Sequence, residues 1–357
     1  MKILKITMIF LIIILILVLG ILFTYKYMIS PVSKTSNEVT IEIPMGSTKV
    51  SIGQILFDNK LIKNETIYKI YIKLNKIDNL KAGIYKLNQN MSLESIIKSL
   101  ERVSNINPDS FMITFPEGKN MRKIALIISD NTNNTEENVF NLLKDEEYIN
   151  EVINKYWFIT DEIKKKDIYY PLEGYLFPNT YMLNNKDVTV EEIFKMMLDE
   201  MDKKLTKYKK DIKNLGFTIH QFLTFASIVE SEGINQNDRD KISSVFHNRL
   251  DKNMPLGSCV TTYYAVKLEM SERDLYKSEI NLKNSYNTRG PDMNGILPVG
   301  PISNPGEESI KATIYPDEAE YLYFVADKNY VTYFTKTYDE HLSKISELKT
   351  KGIWKEW

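Results

Sequence analysis

The sequence predicts an α+β protein with a single N-terminal transmembrane helix, a small βααβ subdomain and a larger α+β domain. Three observations support this prediction: an apolar segment near the N-terminus, short strand and helix patterns that alternate from residue 38, and an amphipathic helix with start and stop signals in the second half. At 357 residues the chain is long enough for two or three compact domains, each with its own hydrophobic core.

The charge balance and the scarcity of cysteine exclude several classes of protein. Lys and Arg number 46 against 47 Asp and Glu, so the chain lacks the strongly basic character of a nucleic-acid-binding protein. Cys259 is the single cysteine, which excludes an intramolecular disulfide and a cysteine-rich zinc site. His220, His247 and His341 lack metal-ligand spacing, and we interpret them as cap, loop and helix-surface residues. The sequence therefore predicts no metal, no cofactor and no nucleic-acid partner.

The N-terminal segment has the character of a membrane span. Residues 6–23 are apolar except for Thr7 and Gly20. A helix of this length, at about 1.5 Å per residue, approaches the ~30 Å hydrocarbon core of a bilayer. The sequence predicts, in chain order, a cytoplasmic N-terminus (residues 1–5), a transmembrane helix (6–25) and a linker (26–37).

Basic residues determine the predicted orientation of this span. Lys2 and Lys5 precede the apolar segment, and the positive-inside rule then places the N-terminus in the cytoplasm and the body of the chain outside the membrane. A cleaved signal peptide is the alternative. The apolar segment is longer than the core of a typical signal peptide and no A-x-A site follows it, so we expect the helix to be retained.

The region 38–110 has the pattern of a small βααβ unit. Its periodicity predicts strand, helix, helix and strand, in that order, at residues 39–43, 50–57, 64–74 and 82–87. Ser92 then caps a further helix through Leu100. The unit resembles a LysM-like module, a fold associated with binding N-acetylated sugars. This resemblance leaves open whether the unit binds glycan or only spaces the following domain from the bilayer.

A Pro-x-Gly turn follows a strand pattern twice, at residues 44–46 and 116–118. Proline and glycine mark many turns, and we interpret the pair as a reused strand–turn–helix unit.

A helix with two glutamates in its last turn is the strongest chemical signal. Thr218 and Gln221 fit a capping box and Gly233 is the stop signal. Between them, apolar residues recur at helical spacing and predict one apolar stripe facing the core, formed by Phe222, Phe225, Ala226 and Val229.

Glu230 and Glu232 lie on different sides of this helix, because each residue advances the helix by about 100°. They are therefore predicted to point apart and not to form a pair. A carboxyl group packed against aliphatic and aromatic neighbours favours its protonated form, which suits a general acid. The alternative is a solvated boundary residue, as glutamates on amphipathic helices usually are.

Three further segments leave two interpretations open. Residues 171–181 combine aromatics, two prolines and Glu173, and they predict either a pocket-lining loop or an aromatic core corner. Residues 290–306 are rich in Pro and Gly, and they predict a rigid wall for a polar ligand or a structural crossover. The charged segment 238–240 predicts a solvated helix face, or substrate positioning opposite Glu230.

Several motifs together resemble the endolytic murein transglycosylase family, the YceG-like proteins. The resemblance extends over nearly the whole chain, and the motifs occur in the family's order at residues 172–178, 226–232, 248–250, 286–288, 300–306 and 321–326. It implies a membrane-anchored lyase whose catalytic domain, residues 111–357, cuts nascent peptidoglycan strands internally.

The resemblance also assigns site residues. The family's catalytic glutamate corresponds to Glu230, which would protonate the glycosidic oxygen between N-acetylmuramic acid and N-acetylglucosamine. It would then accept the proton of the muramic 6-hydroxyl as that oxygen closes a 1,6-anhydro ring. The expected substrate-binding residues are Glu232, Glu173, Tyr175, Asn248, Arg249, Tyr286, Asn287, Thr288 and Asn304.

The expected location is the bacterial cytoplasmic membrane, single-pass, with the catalytic body outside. The expected partners are peptidoglycan strands, the membrane itself and cell-wall synthases of the elongation or division machinery.

The sequence departs from the family pattern at Cys259, where relatives carry an acidic residue, and at Arg289, where they carry an aromatic residue. Two alternatives remain: a non-catalytic peptidoglycan-binding scaffold, and a hydrolytic muramidase with Glu173 as its second carboxylate.

Overall fold

A computed structural model describes residues 2–44, 46–102, 110–233 and 236–354, with side chains omitted for 2–13 and 236–237. The chain forms two compact units. The first comprises Met1–Met112 and Met182–Lys186, and the second comprises Ile113–Tyr181 and Asp187–Trp357.

The first unit has the predicted order of strand, helix, helix and strand. Its elements are α1 (Lys2–Ile29), β1 (Glu38–Ile43), α2 (Lys49–Asp58), α3 (Glu65–Leu74), β2 (Gly83–Asn88) and α4 (Leu93–Glu101). β1 and β2 pair antiparallel, with Ile41 opposite Tyr85. Each of the three helices after β1 begins where a side-chain oxygen accepts a backbone N–H of the first turn; these caps are Thr48, Asn64 and Ser92.

The two strands and three helices enclose one apolar core. Leu56, Tyr68, Ile96 and Leu100 are completely buried in it. The helices therefore hold their positions mainly through burial of this shared apolar face, which individually short helices need to be stable.

The predicted transmembrane helix at residues 6–25 is not confirmed. Within the part of the chain that the structure describes, no helix combines the length and the apolar character needed to cross a bilayer.

The second unit is mainly helical, with short strands at its margins. The elements from residue 111 onward are β3 (Phe111–Thr114), α5 (Met121–Asn131), α6 (Glu136–Leu142), α7 (Glu146–Lys155), a 3₁₀ turn (Asp161–Lys164), β4 (Thr180–Leu183), α8 (Val190–Thr206), α9 (Lys209–Asn214), α10 (Ile219–Glu232), α11 (Gln236–Asp251), α12 (Cys259–Ala265), α13 (Lys277–Ile280), α14 (Glu307–Ile314), β5 (Tyr323–Ala326), β6 (Thr332–Thr335) and α15 (Tyr338–Thr350). β3 pairs with β4, and β5 pairs antiparallel with β6.

Helix α10 is the central element of the second unit. The predicted capping box is present, and the N–H of Gly233 closes the last turn on the carbonyl of Val229. The prediction of a single apolar stripe is wrong, because every residue from Phe222 to Glu230 is buried. The reason is that α9, α11, α12 and α14 all pack against α10, so that none of its faces is left to solvent.

Candidate active site

Glu230 lies in the last turn of α10, with 8% of the residue exposed. Its Oε2 accepts hydrogen bonds from the Gly306 N–H at 2.9 Å and the Ser309 hydroxyl at 2.7 Å. Its Oε1 accepts from Arg239 Nη2 at 3.1 Å. Gly306 is the N-cap of α14, and a helix N-terminus favours a negative charge. Three donors from two helices thus fix this carboxyl group.

Two interpretations were open for residues 238–240, and the solvated face is wrong for Arg239. Its side chain is 11% exposed and it bridges Glu230 and Glu308, the latter at 2.7 Å. The reason is that α11 packs against both α10 and α14, so a side chain near its start faces two carboxylates. Spacing within the charged run at residues 238–240 does not reveal this contact, which depends on tertiary packing.

The turn after β3 forms another wall of the site, which sequence reasoning missed. Gly118 has φ +72°, a left-handed conformation that favours glycine, and a methyl group there would lie 3.5 Å from Glu230 Cγ. Its N–H donates to the Asn304 carbonyl at 3.0 Å. The preceding Glu117 is exposed, and its carboxyl group lies against Gly306. The only sequence signal was the Pro-x-Gly turn.

Asn304 joins three loops through its side-chain amide. Its Oδ1 accepts from the Leu176 N–H at 3.0 Å, and its Nδ2 donates to the Lys119 carbonyl at 3.0 Å and to Glu173 Oε1 at 3.1 Å. The residue is 1% exposed. Asn304 therefore acts on the site by holding the loops around Glu230 in place.

Glu173 is fully enclosed and cannot contact a glycan in this arrangement. It is 1% exposed, and its Oε2 accepts from the Met121 N–H at 2.9 Å and the Tyr264 hydroxyl at 3.0 Å. Burial raises the pKa of this carboxyl group to about 7. Because Asn304 Nδ2 donates to Oε1, protein donors contact both oxygens of the Glu173 carboxyl group. A role for Glu173 as the second carboxylate of a hydrolase does not fit this environment.

Glu232 points away from Glu230, as predicted. Its Oε1 accepts from the Ser258 hydroxyl at 2.6 Å, and burial raises the pKa of its carboxyl group. Thr288 Oγ1 accepts from the Ser258 N–H at 3.0 Å and so connects the loop 286–288 to this position.

The remaining loop residues are structural in this arrangement. Asn287 is completely buried, and its Nδ2 donates to three carbonyls, including that of Leu282 at 2.8 Å. Tyr286 is 1% exposed, and the centroids of its ring and of the Tyr169 ring are 4.6 Å apart. Both residues stabilise the loop that carries Thr288.

Tyr175 and His220 form a buried link between the loop 171–181 and α10. Tyr175 is completely buried, and its hydroxyl lies 2.7 Å from His220 Nδ1. His220 Nε2 donates to the Val299 carbonyl at 2.8 Å, which leaves Nδ1 to accept from Tyr175. Burial lowers the pKa of His220. The interpretation of His220 as a cap residue is wrong, because Thr218 is the N-cap of α10 and His220 is buried within its first turn.

Asn248 and Arg249 attach the C-terminal part of α11 to the segment before β5. Asn248 Nδ2 donates to the carbonyls of Ala319, at 2.7 Å, and Tyr321, at 3.0 Å. Arg249 Nε donates to the Leu322 carbonyl at 2.7 Å. Their polar groups are therefore bonded to backbone.

The two departures from the family pattern lie side by side. Arg289 Nη1 is 3.4 Å from Cys259 Sγ and donates to the Gly257 carbonyl at 3.0 Å. Burial raises the pKa of the Cys259 thiol, which disfavours a thiolate nucleophile.

Across the described ranges, no group of three or more His, Cys, Asp or Glu side chains is arranged to hold a metal ion.

The arrangement is a buried acidic site on an α+β scaffold, and comparison assigns it to a family. The sequence profile of the YceG-like family matches residues 41–347. The chain belongs to the YceG-like family.

Several relatives agree with this assignment. A protein of Bacillus subtilis named endolytic murein transglycosylase is 39% identical over 328 residues, covering 91% of this chain and 89% of that protein. A Streptococcus pneumoniae protein of the same name is 32% identical over 343 residues, covering 91% of this chain and 62% of its own length. The crystal structure of a yceG-like protein from Listeria monocytogenes has a TM-score of 0.61 at 35% identity, and the match covers 87% of this chain and 100% of that one.

The buried carboxyl of Glu173 makes stability depend on pH. Its pKa lies at about 7 in the folded chain against an ordinary 4.5, so folding favours the protonated form. The stabilisation is complete below pH 4.5 and is lost as the pH rises through 7, by up to about 3 kcal/mol. Urea unfolding at pH 5 and pH 8 should show this loss in the wild type and a smaller loss in Glu173→Gln.

Glu318→Gln, at an exposed carboxylate, is the matched control and should behave as the wild type does. An equal loss of stability in Glu173→Gln and the wild type would contradict the assignment.

Proposed function

We propose that this chain is an endolytic peptidoglycan lytic transglycosylase. It cleaves the β-1,4 bond between N-acetylmuramic acid and N-acetylglucosamine within nascent strands, leaves a 1,6-anhydro end, and so limits strand length. The observation that carries the proposal is the placement of Glu230, buried and held by Gly306, Ser309 and Arg239 at the centre of the domain. The names of the relatives support the same reaction.

The reaction requires two proton transfers and no water. One proton reaches the glycosidic oxygen as its bond to the anomeric carbon breaks, and another leaves the muramic 6-hydroxyl as that oxygen attacks the same carbon. Because the attacking hydroxyl is tethered to the sugar, a carboxylate that activates water is unnecessary. Glu230 is the residue around which we place this proton chemistry.

The buried polar residues support this site and do not line it. Glu173 and Asn304 hold the loop that presents Gly306, while Asn287 and Thr288 hold the loop that ends at Ser258. Glycan contacts are left to the exposed and half-buried groups near Glu230. Since Glu173 is 1% exposed and enclosed by the protein, the muramidase alternative lacks the second carboxylate that it was given.

Replacement of Glu230 by glutamine should abolish cleavage. The amide keeps the shape of the side chain and removes its ability to exchange a proton. Purified glycan strands are incubated with the chain, and the products are analysed by mass spectrometry. The wild type should yield 1,6-anhydro-muramic ends, Glu318→Gln should match it, and Glu230→Gln should yield none.

Other products would point to the alternatives. Reducing ends from the wild type would make the enzyme a hydrolase. Glycan binding without any cleavage, by a chain shown to be folded, would make it a scaffold.

We also propose that the first unit binds peptidoglycan as a LysM-like module. A groove of about 480 Å³ lies beside α3, lined by Lys49, Val50, Tyr68, Lys69, Ile72, Lys73, Lys76 and Asp78. Tyr68 is completely buried, so the groups open to a ligand are the exposed side chains of the lysines, Val50 and Asp78. Lysines around an open groove suit a glycan whose muramic side chains carry carboxylates.

Reversing charge in this groove should weaken binding to insoluble peptidoglycan. In a Glu230→Gln background, which prevents turnover, Lys73→Glu with Lys76→Glu should reduce the bound fraction several-fold in a sedimentation assay. Lys34→Glu, an exposed change outside the groove, is the control. Unchanged sedimentation of the double variant would refute the binding role.

We propose further that the N-terminal segment anchors the chain in the bacterial cytoplasmic membrane. The support is the apolar sequence of residues 6–23 and the exposure of its large side chains, such as Leu17, Ile21 and Phe23, at 60%, 68% and 76%. Exposed apolar surface of this extent requires a cover. Cell-wall synthases would then be the expected neighbours outside the membrane.

Removal of residues 1–25 should release the chain from the membrane fraction. In protoplasts, protease added from outside should digest the body of the full chain, as the predicted orientation requires. A full chain that fractionates with cytosol, or that is protected from external protease, would contradict the anchor or its orientation.

A further inference from the structure

A second carboxyl group lies at the mouth of the site that the proposed function assigns to Glu230. Glu117 is exposed, whereas Glu230 is 8% exposed. A methyl group added at Gly306 would overlap the Glu117 carboxyl, and the N–H of the same glycine donates to Glu230 at 2.9 Å. At standard bond lengths the two carboxyl groups are therefore within about 8 Å, a spacing found in carboxyl pairs that cleave glycosides.

The backbone fixes Glu117 in this position. The next residue, Gly118, leaves no room beyond van der Waals contact for a methyl group beside Glu230, and its N–H donates to the Asn304 carbonyl at 3.0 Å. Asn304 in turn donates its own N–H to the Lys119 carbonyl at 3.1 Å. Reciprocal hydrogen bonds on both sides of the turn keep Glu117 over Gly306.

The two carboxyl groups have different surroundings. Each oxygen of Glu230 faces a group that can only donate, the Arg239 guanidinium at Oε1 and the Gly306 N–H at Oε2. This arrangement suits a group that accepts a proton during the reaction. Glu117 has a face open to solvent and therefore to a bound strand.

The surroundings of Glu117 shift the pKa of its carboxyl group upward. Partial desolvation beside Gly306 is the largest cause, and the negative charges of Glu230 and Glu308 act in the same direction. Arg239 and Lys204 oppose this shift, and the net direction is upward. Neighbouring carboxyl groups whose environments differ in this way commonly divide the roles of acid and base.

We infer that Glu117 is a second catalytic residue, which contacts the glycan and donates the proton to the leaving oxygen while Glu230 accepts the proton of the muramic 6-hydroxyl. As the anomeric C–O bond breaks, its electron pair stays on the leaving oxygen and takes the Glu117 proton. The 6-oxygen forms the new bond to the anomeric carbon, and its proton passes to Glu230. Return of a proton from Glu230 to Glu117 through solvent closes the cycle, and no water is consumed.

The test compares Glu117→Gln with the wild type on two substrates. One is the natural glycan strand, whose leaving group needs protonation. The other is an aryl β-glycoside of a strand that ends in muramic acid, whose nitrophenolate leaving group does not. On natural strands we expect kcat to fall about 10²-fold or more, the range typical of a lost general acid. On the aryl substrate the variant should stay within about threefold of the wild type, in line with the small role of an acid there.

Three controls keep the outcomes distinct. Glu117→Asp keeps the acid on a shorter arm and should retain part of the activity on natural strands. Glu318→Gln should match the wild type on both substrates. Glu230→Gln should lose both activities, because the 6-hydroxyl must be deprotonated whichever group leaves.

The pH profile on natural strands gives a second test without the aryl substrate. Wild-type kcat should fall at alkaline pH as Glu117 loses its proton, and this alkaline limb should be absent from the residual activity of Glu117→Gln. Wild-type activity of Glu117→Gln on strands, or equal losses on both substrates, would overturn the inference. Absence of anhydro products from the wild type would instead overturn the proposed function.

Discussion

The hydrogen bonds of the Asn304 side chain are the constraint on which the site depends. One buried amide connects the turn at residues 116–119, the loop that contains Glu173 and the segment that leads into α14. These segments are far apart in sequence, and the amide joins them directly. A buried amide with every polar atom bonded is costly to disrupt, because each lost bond leaves a desolvated group without a partner. The geometry at Glu230 is a consequence of this network.

Charge at the site is balanced within a small volume. Glu230, Glu308 and Glu117 surround Arg239, whose guanidinium is largely removed from water. A buried ion pair by itself contributes little to stability, since desolvation offsets the attraction. Here the arrangement has another effect: a proton that moves between the carboxyl groups changes which of them the arginine compensates. The N-terminus of α14 supplies a fixed positive potential that does not move with the proton.

The sequence predicted the helices and strands with strong local signals, and it failed where tertiary contacts decide. The strand at residues 39–43 and the helix capped by Thr218 are observed, since alternation and caps are local properties. The ion pair of Arg239 with Glu308 joins residues 69 positions apart in the sequence. The approach of Glu117 to Gly306 joins residues 189 positions apart, and no periodicity encodes such contacts. The burial of Tyr175 and Asn287 was missed for the same reason. Polar and aromatic residues in a loop can face either the solvent or the core, and the sequence does not decide which.

Gly306 makes the site vulnerable in a particular way. Its N–H donates to the Glu230 carboxyl group, and the Glu117 carboxyl group occupies the space that a side chain at this position would need. A substitution here would therefore displace Glu117 and leave the backbone donor to Glu230 in place. Most of the scaffold would survive such a change, since the core of the second unit lies around α10 and does not include the glycine. A side chain at this glycine would thus separate the two carboxyl groups in a protein that still folds.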